Sequence, residues 1–401
     1  MKAFAKLLII VAVFGFVVAC APQAPAPPAV TVAPTVDAAQ DAWLKAAELG
    51  KYAPAKQDWA AIEAAAKKEG KVLVYANSSR IADVKKLFEA KYPGITLEGF
   101  DLGSEDSVVK IKEEQKAGAY TGDVLFSSSA SGDVVMDMLP KQQLWRFVPD
   151  SVAAVLPKEF SEPLPVSRMG VRILGYNGEL LKACPVNNWW ELTEPKWKGK
   201  VFIEDPLADI STMAIYTTVV AHAKELAAAY KDLYGKDPVL EADTPDVGWL
   251  WLKMFAKNNP IPQPGGDEVT AAFASKGMKE AGVGFNSYSK YRNTVAGKVV
   301  FEPCTTLKPV VGVQSATYLA IANRAPHPNA AKMFINFVYS KEGFEPWNVI
   351  GDYSPRTDLE SPKGAIPYKE LGKVVWTIDE PSVFKTVLKV RDFYAINVLK
   401  K

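Results

Sequence analysis

The chain has 401 residues, with 47 lysines and arginines against 45 aspartates and glutamates, 48% hydrophobic residues and 23% charged ones. That apolar share excludes a disordered chain, and the even charge balance gives no electrostatic case for a nucleic-acid partner. With two histidines, three cysteines and no C-x-x-C, neither a metal site nor imidazole-assisted nucleophilic catalysis finds support in the composition.

The first predicted element is an address. Lys2 and Lys6 precede an apolar run over 7–18, too short to cross a bilayer, and the small Ala19 stands before Cys20. The arrangement resembles a bacterial lipoprotein signal. That resemblance implies removal of residues 1–19, acylation of Cys20 by fatty chains such as palmitate, and an extracytoplasmic protein held on a membrane, in the periplasm or at the cell surface. Residues 21–36 carry Pro22, Pro25, Pro27, Pro28 and Pro34 among Ala, Val and Thr, with no charge. Extended polyproline geometry of about 3.1 Å per residue makes this stretch a stalk of roughly 50 Å. Cys20 and the tether are assigned to residues 20–42. The remaining chain, about 365 residues, is long enough for two domains and contains no second apolar run of membrane-spanning length. Cys184 and Cys304 are the cysteines left, and in an oxidising compartment they are a disulfide candidate.

Residues 59–68 read as a helix ending at Gly70, followed by a short apolar strand over 71–75 and a polar turn over 76–80. Val84, Leu87 and Phe88 fall at helical spacing until Pro93-Gly94 stops the helix. A second strand spans 95–100. Ser104 and Glu105 open a helix carrying Val108, Val109 and Ile111, and a third strand over 121–126 leads into a run of serines. Strands alternating with helices predict a parallel sheet with helices on both faces, whose ligand crevice lies at the carboxyl ends of the strands. Two polar loops occupy that position: Asn77, Ser78, Ser79 and Arg80 after the first strand, and Ser127, Ser128 and Ser129 after the third. Serine N-capping alone accounts for either loop, but the two together favour a pocket.

A further strand over 170–177 precedes Trp190-Glu-Leu-Thr-Glu-Pro-Lys-Trp-Lys-Gly-Lys200 and then Val-Phe-Ile-Glu-Asp-Pro206. This run is similar to the signature of extracellular solute-binding proteins of ABC importers, type II periplasmic binding proteins of the ferric-ion-binding group. Gly122-Asp-Val-Leu-Phe126, Tyr176-Asn177, Ala325-Pro-His-Pro-Asn-Ala-Ala331, Ser340-Lys-Glu-Gly343 and Ser354-Pro-Arg356 extend the likeness in the expected order over roughly residues 57–360. It implies an α/β clamshell of two lobes, each a mainly parallel sheet flanked by helices. Lobe one is then 57–170 plus 311–401, lobe two 177–303, and the hinge crossings lie near 170–177 and 300–311. Cys184 and Cys304 both fall beside the hinge, where a bond is possible. Trp189, Trp190 and Trp197 read as core aromatics.

Lobe two offers its own polar loops. Asp209, Ser211 and Thr212 stand where a helix would begin, after the apolar strand that starts at Val201. Ser287, Tyr288, Tyr291 and Arg292 follow a short apolar strand from Val283. Ferric-ion-binding relatives use two adjacent tyrosines in this region. Here Tyr288 and Tyr291 are three apart, a spacing that on a helix puts both on one face, and neither histidine is suitably placed. Arg80 and Arg292, from opposite lobes, carry forks suited to carboxylate or phosphate. The expected function is capture of a polar or anionic small solute for an ABC permease and ATPase. Two alternatives stand beside it: ferric iron held through Tyr288 and Tyr291, and a sensory lipoprotein uncoupled from transport. A monomer without cofactor is expected, Fe3+ entering only as possible cargo. No enzyme is expected, since the S-x-x-K matches at Ser107 and Ser287 lack the companion elements that give that motif meaning.

Overall fold

The computed structural model describes residues 37–399. The signal over 1–19, Cys20 and the proline-rich stretch over 21–36 lie outside the described residues. The tether assigned as far as residue 42 ends sooner. Asp37 caps a helix, Ala38–Ala46, by accepting from the Gln40 backbone N–H at 2.7 Å, and Gln40 and Leu44 are buried. Trp43 then donates to the Ala325 carbonyl at 3.0 Å, which ties this helix to lobe one. An acidic cap followed by an amphipathic turn outweighs the polyproline tendency of the residues before it.

Eight strands form the path of a single sheet: β1 (Lys71–Ala76), β2 (Thr96–Asp101), β3 (Val124–Ser127), β4 (Val166–Asn177), β5 (Val201–Glu204), β6 (Ile261–Gln263), β7 (Val283–Ser287) and β8 (Gly312–Ala322). Their spatial order is β2-β1-β3-β8-β4-β7-β5-β6. β1 pairs in parallel with β2 and β3, and β5 in parallel with β6 and β7. Each lobe therefore has the expected parallel sheet. The two are joined by the long antiparallel pair β4–β8, in register from Gly312 opposite Ile173 to Thr317 opposite Arg168, with a register shift before Tyr318 pairs with Val166. Gly312 is required at the close approach, because a Cβ there would sit 2.1 Å from the Arg172 carbonyl oxygen.

The crossings differ from expectation at the second site. β4 is the first, but the return passage is β8, beginning at Gly312, while Phe301–Pro303 still pairs with Gly175, Tyr176 and Asn177 in lobe two. There is also a third passage. Val375–Thr377 pairs in parallel with Gly312–Gln314 and leads into helix Glu380–Leu399. That helix was assigned to lobe one, yet it packs against helices Ile210–Ala221 and Val247–Lys257 of lobe two. Val383, Val387, Val390 and Tyr394 form its apolar stripe and join Trp189, Tyr216, Trp251 and Phe255 in one core. In lobe one, helix Pro328–Tyr339 covers β1 and packs on Trp59–Glu69.

Trp189 and Trp190 are fully enclosed and Trp197 nearly so, as the sequence suggests. Cys184 and Cys304 are joined in a disulfide with Cα atoms 5.2 Å apart. It links the segment that follows β4 to the segment that precedes β8. Among the described residues no helix is long and apolar enough to cross a membrane.

Candidate functional site

Between the lobes lies a cleft of about 470 Å³. Its lobe-one wall comes from the turns after β1, β2 and β3. Ser104 and Ser128 share a hydrogen bond of 2.6 Å between their hydroxyls, and the Asn77 amide donates to both, at 3.0 and 3.3 Å. Three loops are thus fixed in one polar surface. The lobe-two wall holds Asp209, Ser211, Ser287 and Arg292, and the floor is the exposed face of β4.

Of the side chains expected to meet a solute, Asn77, Ser78, Ser79, Arg80, Ser128, Ser129, Asp209, Ser211, Ser287 and Arg292 line this cleft. Ser127, Thr212, Tyr288 and Tyr291 do not. Ser127 is the last residue of β3, locked into the ladder opposite Tyr318 and fully buried, so only the serines after it reach the gap. Thr212 turns back onto its own cap: its hydroxyl donates to Asp209 at 2.7 Å and its backbone N–H to the same oxygen at 3.1 Å. Asp209 also takes the Ser211 N–H at 3.0 Å, so this helix start spends its free donors on its own aspartate.

Tyr288 and Tyr291 do share one face, their rings 6.0 Å apart, but that face points into apolar surroundings. Tyr291 packs on Phe301, and burial pushes the Tyr288 phenol up to about 12. A group held neutral and away from the cleft is poorly disposed to act as a phenolate ligand. Among the described residues no cluster of histidine, cysteine and carboxylate side chains suits a metal ion.

The electrostatic centre is a set of arginines from three parts of the chain. Arg80, at the start of helix Ile81–Lys91, pairs with Asp352 at 2.7 Å, and Arg168 on β4 pairs with the same carboxylate at 3.0 Å. Asp352 is 1% exposed, so one buried carboxylate answers two guanidinium groups. Arg292 donates to the Ser289 carbonyl at 2.8 Å and has no carboxylate partner among the described residues. Desolvation, and then the charge of Arg80, hold its pKa below the ordinary arginine value. Arg172 pairs with Glu204 at 2.6 Å, and Lys290 with Asp267 at 2.9 Å. Arg292 is thus the guanidinium left without a carboxylate partner among the described residues, and donors from both lobes converge on one space.

Several charged groups of the cleft, Arg168, Arg172, Lys290, Asp352 and Glu380 among them, escaped the sequence reading. Arg168 and Arg172 alternate with Gly170 along β4, a period of two that places all three on the cleft face, so their signal was present in the strand pattern. Asp352 and Glu380 had none; the first sits on a two-residue strand and the second follows the unforeseen third crossing. Burial pushes the Glu380 carboxyl up to about 7, and burial raises Asp101 as well. No aromatic or imidazole side chain lines the cleft among the described residues. The lining is one for hydrogen bonds and charge, with no surface for ring stacking.

Comparison with known proteins fits this geometry. Residues 83–370 match the model of the bacterial extracellular solute-binding protein family. Sequence comparison with curated proteins returns no match. Among solved structures, the periplasmic binding protein AfuA from Actinobacillus pleuropneumoniae, with fructose 6-phosphate bound, aligns at TM-score 0.63 and 17% identity over 83% of this chain and 99% of its own. Apo ferric ion-binding protein A of Pasteurella haemolytica aligns at 0.60 and 17% identity over 83% and 100%. AgtB from Agrobacterium tumefaciens R10, in complex with agropinic acid, aligns at 0.57 and 15% over 82% and 99%. At these identities the likeness is one of fold, the two-lobed periplasmic binding protein. The match to the family model spans most of the sequence, and the chain belongs to the bacterial extracellular solute-binding proteins.

Proposed function

We propose that this protein is the solute-capturing component of an ABC importer and that its solute is a small hydrophilic anion bearing a phosphate or carboxylate group. One observation carries the reading: Arg80 and Arg168 share a single carboxylate, Asp352, while Arg292 on the facing lobe has none, in a cleft that no aromatic side chain lines among the described residues. Guanidinium forks match the geometry of carboxylate and phosphate oxygens, and an anion seated there would give Arg292 the partner it lacks. Because Arg80 comes from lobe one and Arg292 from lobe two, an anion bridging them favours the closed clamshell. Capture is then a shift of population between open and closed forms. The binding of fructose 6-phosphate by AfuA and of agropinic acid by AgtB shows that this fold accepts both classes of anion. The ferric alternative is not favoured, because Tyr288 and Tyr291 face away from the cleft.

Attachment through acylated Cys20 and delivery to a permease as a monomer complete the proposal. The order of basic residues, apolar run and Cys20 supports the anchor. Calorimetric titration of the mature protein with fructose 6-phosphate, agropinic acid and ferric ion tests the solute class. Saturable binding of at least one phosphorylated or carboxylated compound, with compaction in solution scattering, is expected. Binding of ferric ion alone would refute the reading.

A further inference from the structure

Four glycines lie on β4, β7 and β8, neighbours at the centre of the sheet, and packing dictates three of them. A Cβ would sit 2.0 Å from Cε2 of Phe301 at Gly175, 2.1 Å from Cδ1 of Phe273 at Gly284 and 2.1 Å from the Arg172 carbonyl oxygen at Gly312, each too close to fit. Gly170 is the exception. The nearest atoms to a Cβ there are Oδ1 of Asp352 at 3.5 Å, Nη1 of Arg168 at 3.8 Å and Oγ of Ser315 at 4.0 Å, all ordinary contact distances. Nor does the backbone ask for glycine, since Gly170 is not among the positive-φ residues.

Glycine in the interior of a strand weakens it, and the usual reasons for keeping one are a bulge, a bend, or the close approach of a ligand or another backbone. At Gly170 the ladder runs on without interruption: it stands opposite Ser315 of β8 on one side and Asp352 on the other, and the register shift falls later, between Thr317 and Tyr318. The cleft is the reason that remains. Gly170 lines it, half-buried, between Arg168 and Arg172, which alternate with it on the same face of β4. Ser315, its neighbour across the ladder, is also small and also lines the cleft. The floor therefore dips between two guanidinium groups, at a point where the strand backbone itself is open to a solute.

We propose that Gly170 is a specificity-determining residue: part of the bound solute descends into the space a side chain would fill and rests in van der Waals contact with the β4 backbone. This rests on the reading of the cleft as an anion site and adds a steric condition to it. Arg80 and Arg292 hold the anionic group from opposite lobes, and the lobes close on the solute only as far as its body sinks to the floor. A methyl group at position 170 would lift the solute from the floor while leaving the protein around it undisturbed.

The test compares wild type, Gly170→Ala, Gly170→Val and Arg292→Ala by thermal melting and by calorimetric titration. The probes are fructose 6-phosphate, agropinic acid and the compound that mass spectrometry identifies in solute released from protein purified from its native host. Gly170→Ala is expected to melt at or above the wild-type temperature and to bind the probe that wild type takes up with an affinity lower by about tenfold or more, with Gly170→Val lower again. An affinity in Gly170→Ala within about twofold of wild type would overturn the proposal. So would a melting temperature well below wild type, which would make the glycine a requirement of the fold. A loss in Gly170→Ala with none in Arg292→Ala would instead overturn the anion reading and leave the glycine floor standing. The converse, a loss in Arg292→Ala with none in Gly170→Ala, would keep the anion reading and remove the floor.

Discussion

Arg292 and Tyr288 stand at the two ends of one short helical segment after β7, and they face opposite environments. The guanidinium opens on the cleft beside Arg80, while the phenol is 4% exposed and packed into the apolar interior. Tyr288 lies directly behind Gly351, the residue before Asp352: a Cβ at Gly351 would be 2.7 Å from the Tyr288 Cβ. The tyrosines thus form the packed backing of the site, and the arginines form its front. Chemical richness in a loop says little about which groups meet a solute; the side of the segment on which each falls decides it.

The largest effect expected from probing this division is on the buried Asp352. Asp352→Ala leaves Arg80 and Arg168 mutually repelling with their shared carboxylate gone, a change expected to cost about 3–5 kcal/mol of stability in urea unfolding. A loss below about 1 kcal/mol would mean that the pair behaves as an exposed one. Next comes the front itself. Arg292→Ala is expected to weaken an anionic solute by about 2 kcal/mol, roughly thirtyfold, in calorimetry, and that weakening should shrink as salt is added.

Glu380 sharpens the comparison through pH. Its carboxyl is pushed up to about 7 from an ordinary 4.5, so between these values the folded protein holds a proton that the unfolded chain has released. Stability therefore falls as pH rises through that window, and Glu380→Gln removes the fall. The variant should melt a few degrees above the wild type near about pH 8 and level with it near about pH 4. Smallest of all is the backing. Tyr288→Phe and Tyr291→Phe together should change anion affinity by less than about twofold, because neither hydroxyl reaches the cleft. A large loss, or a coloured ferric complex that disappears in the double variant, would reverse the roles of front and back.

Much of this arrangement was legible before any coordinates. Strand and helix periods gave β1 to β3 and the helices between them, and the loops at the carboxyl ends of those strands do line the cleft. Failure came where no local pattern exists. Ser211 and Thr212 are adjacent and equally polar, yet Ser211 lines the cleft while the Thr212 hydroxyl is turned back onto the Asp209 cap. The three-residue strand Val375–Thr377 has no period to detect, so the third crossing, the docking of the last helix on lobe two and the placing of Glu380 in the cleft all depend on tertiary packing. Arg172 is the intermediate case, since it alternates with Gly170 inside the strand expected over 170–177, whereas Arg168 falls before that expected start and the strand begins at Val166.

The most direct test of the central claim sets a phosphorylated sugar against its unphosphorylated parent in calorimetric titration of the wild-type protein, with the native solute released from the host as the reference compound. Affinity is expected to be lost when the anionic group is removed and to fall as salt is added; a neutral parent that binds as tightly as its phosphate ester would contradict anion recognition by the arginines.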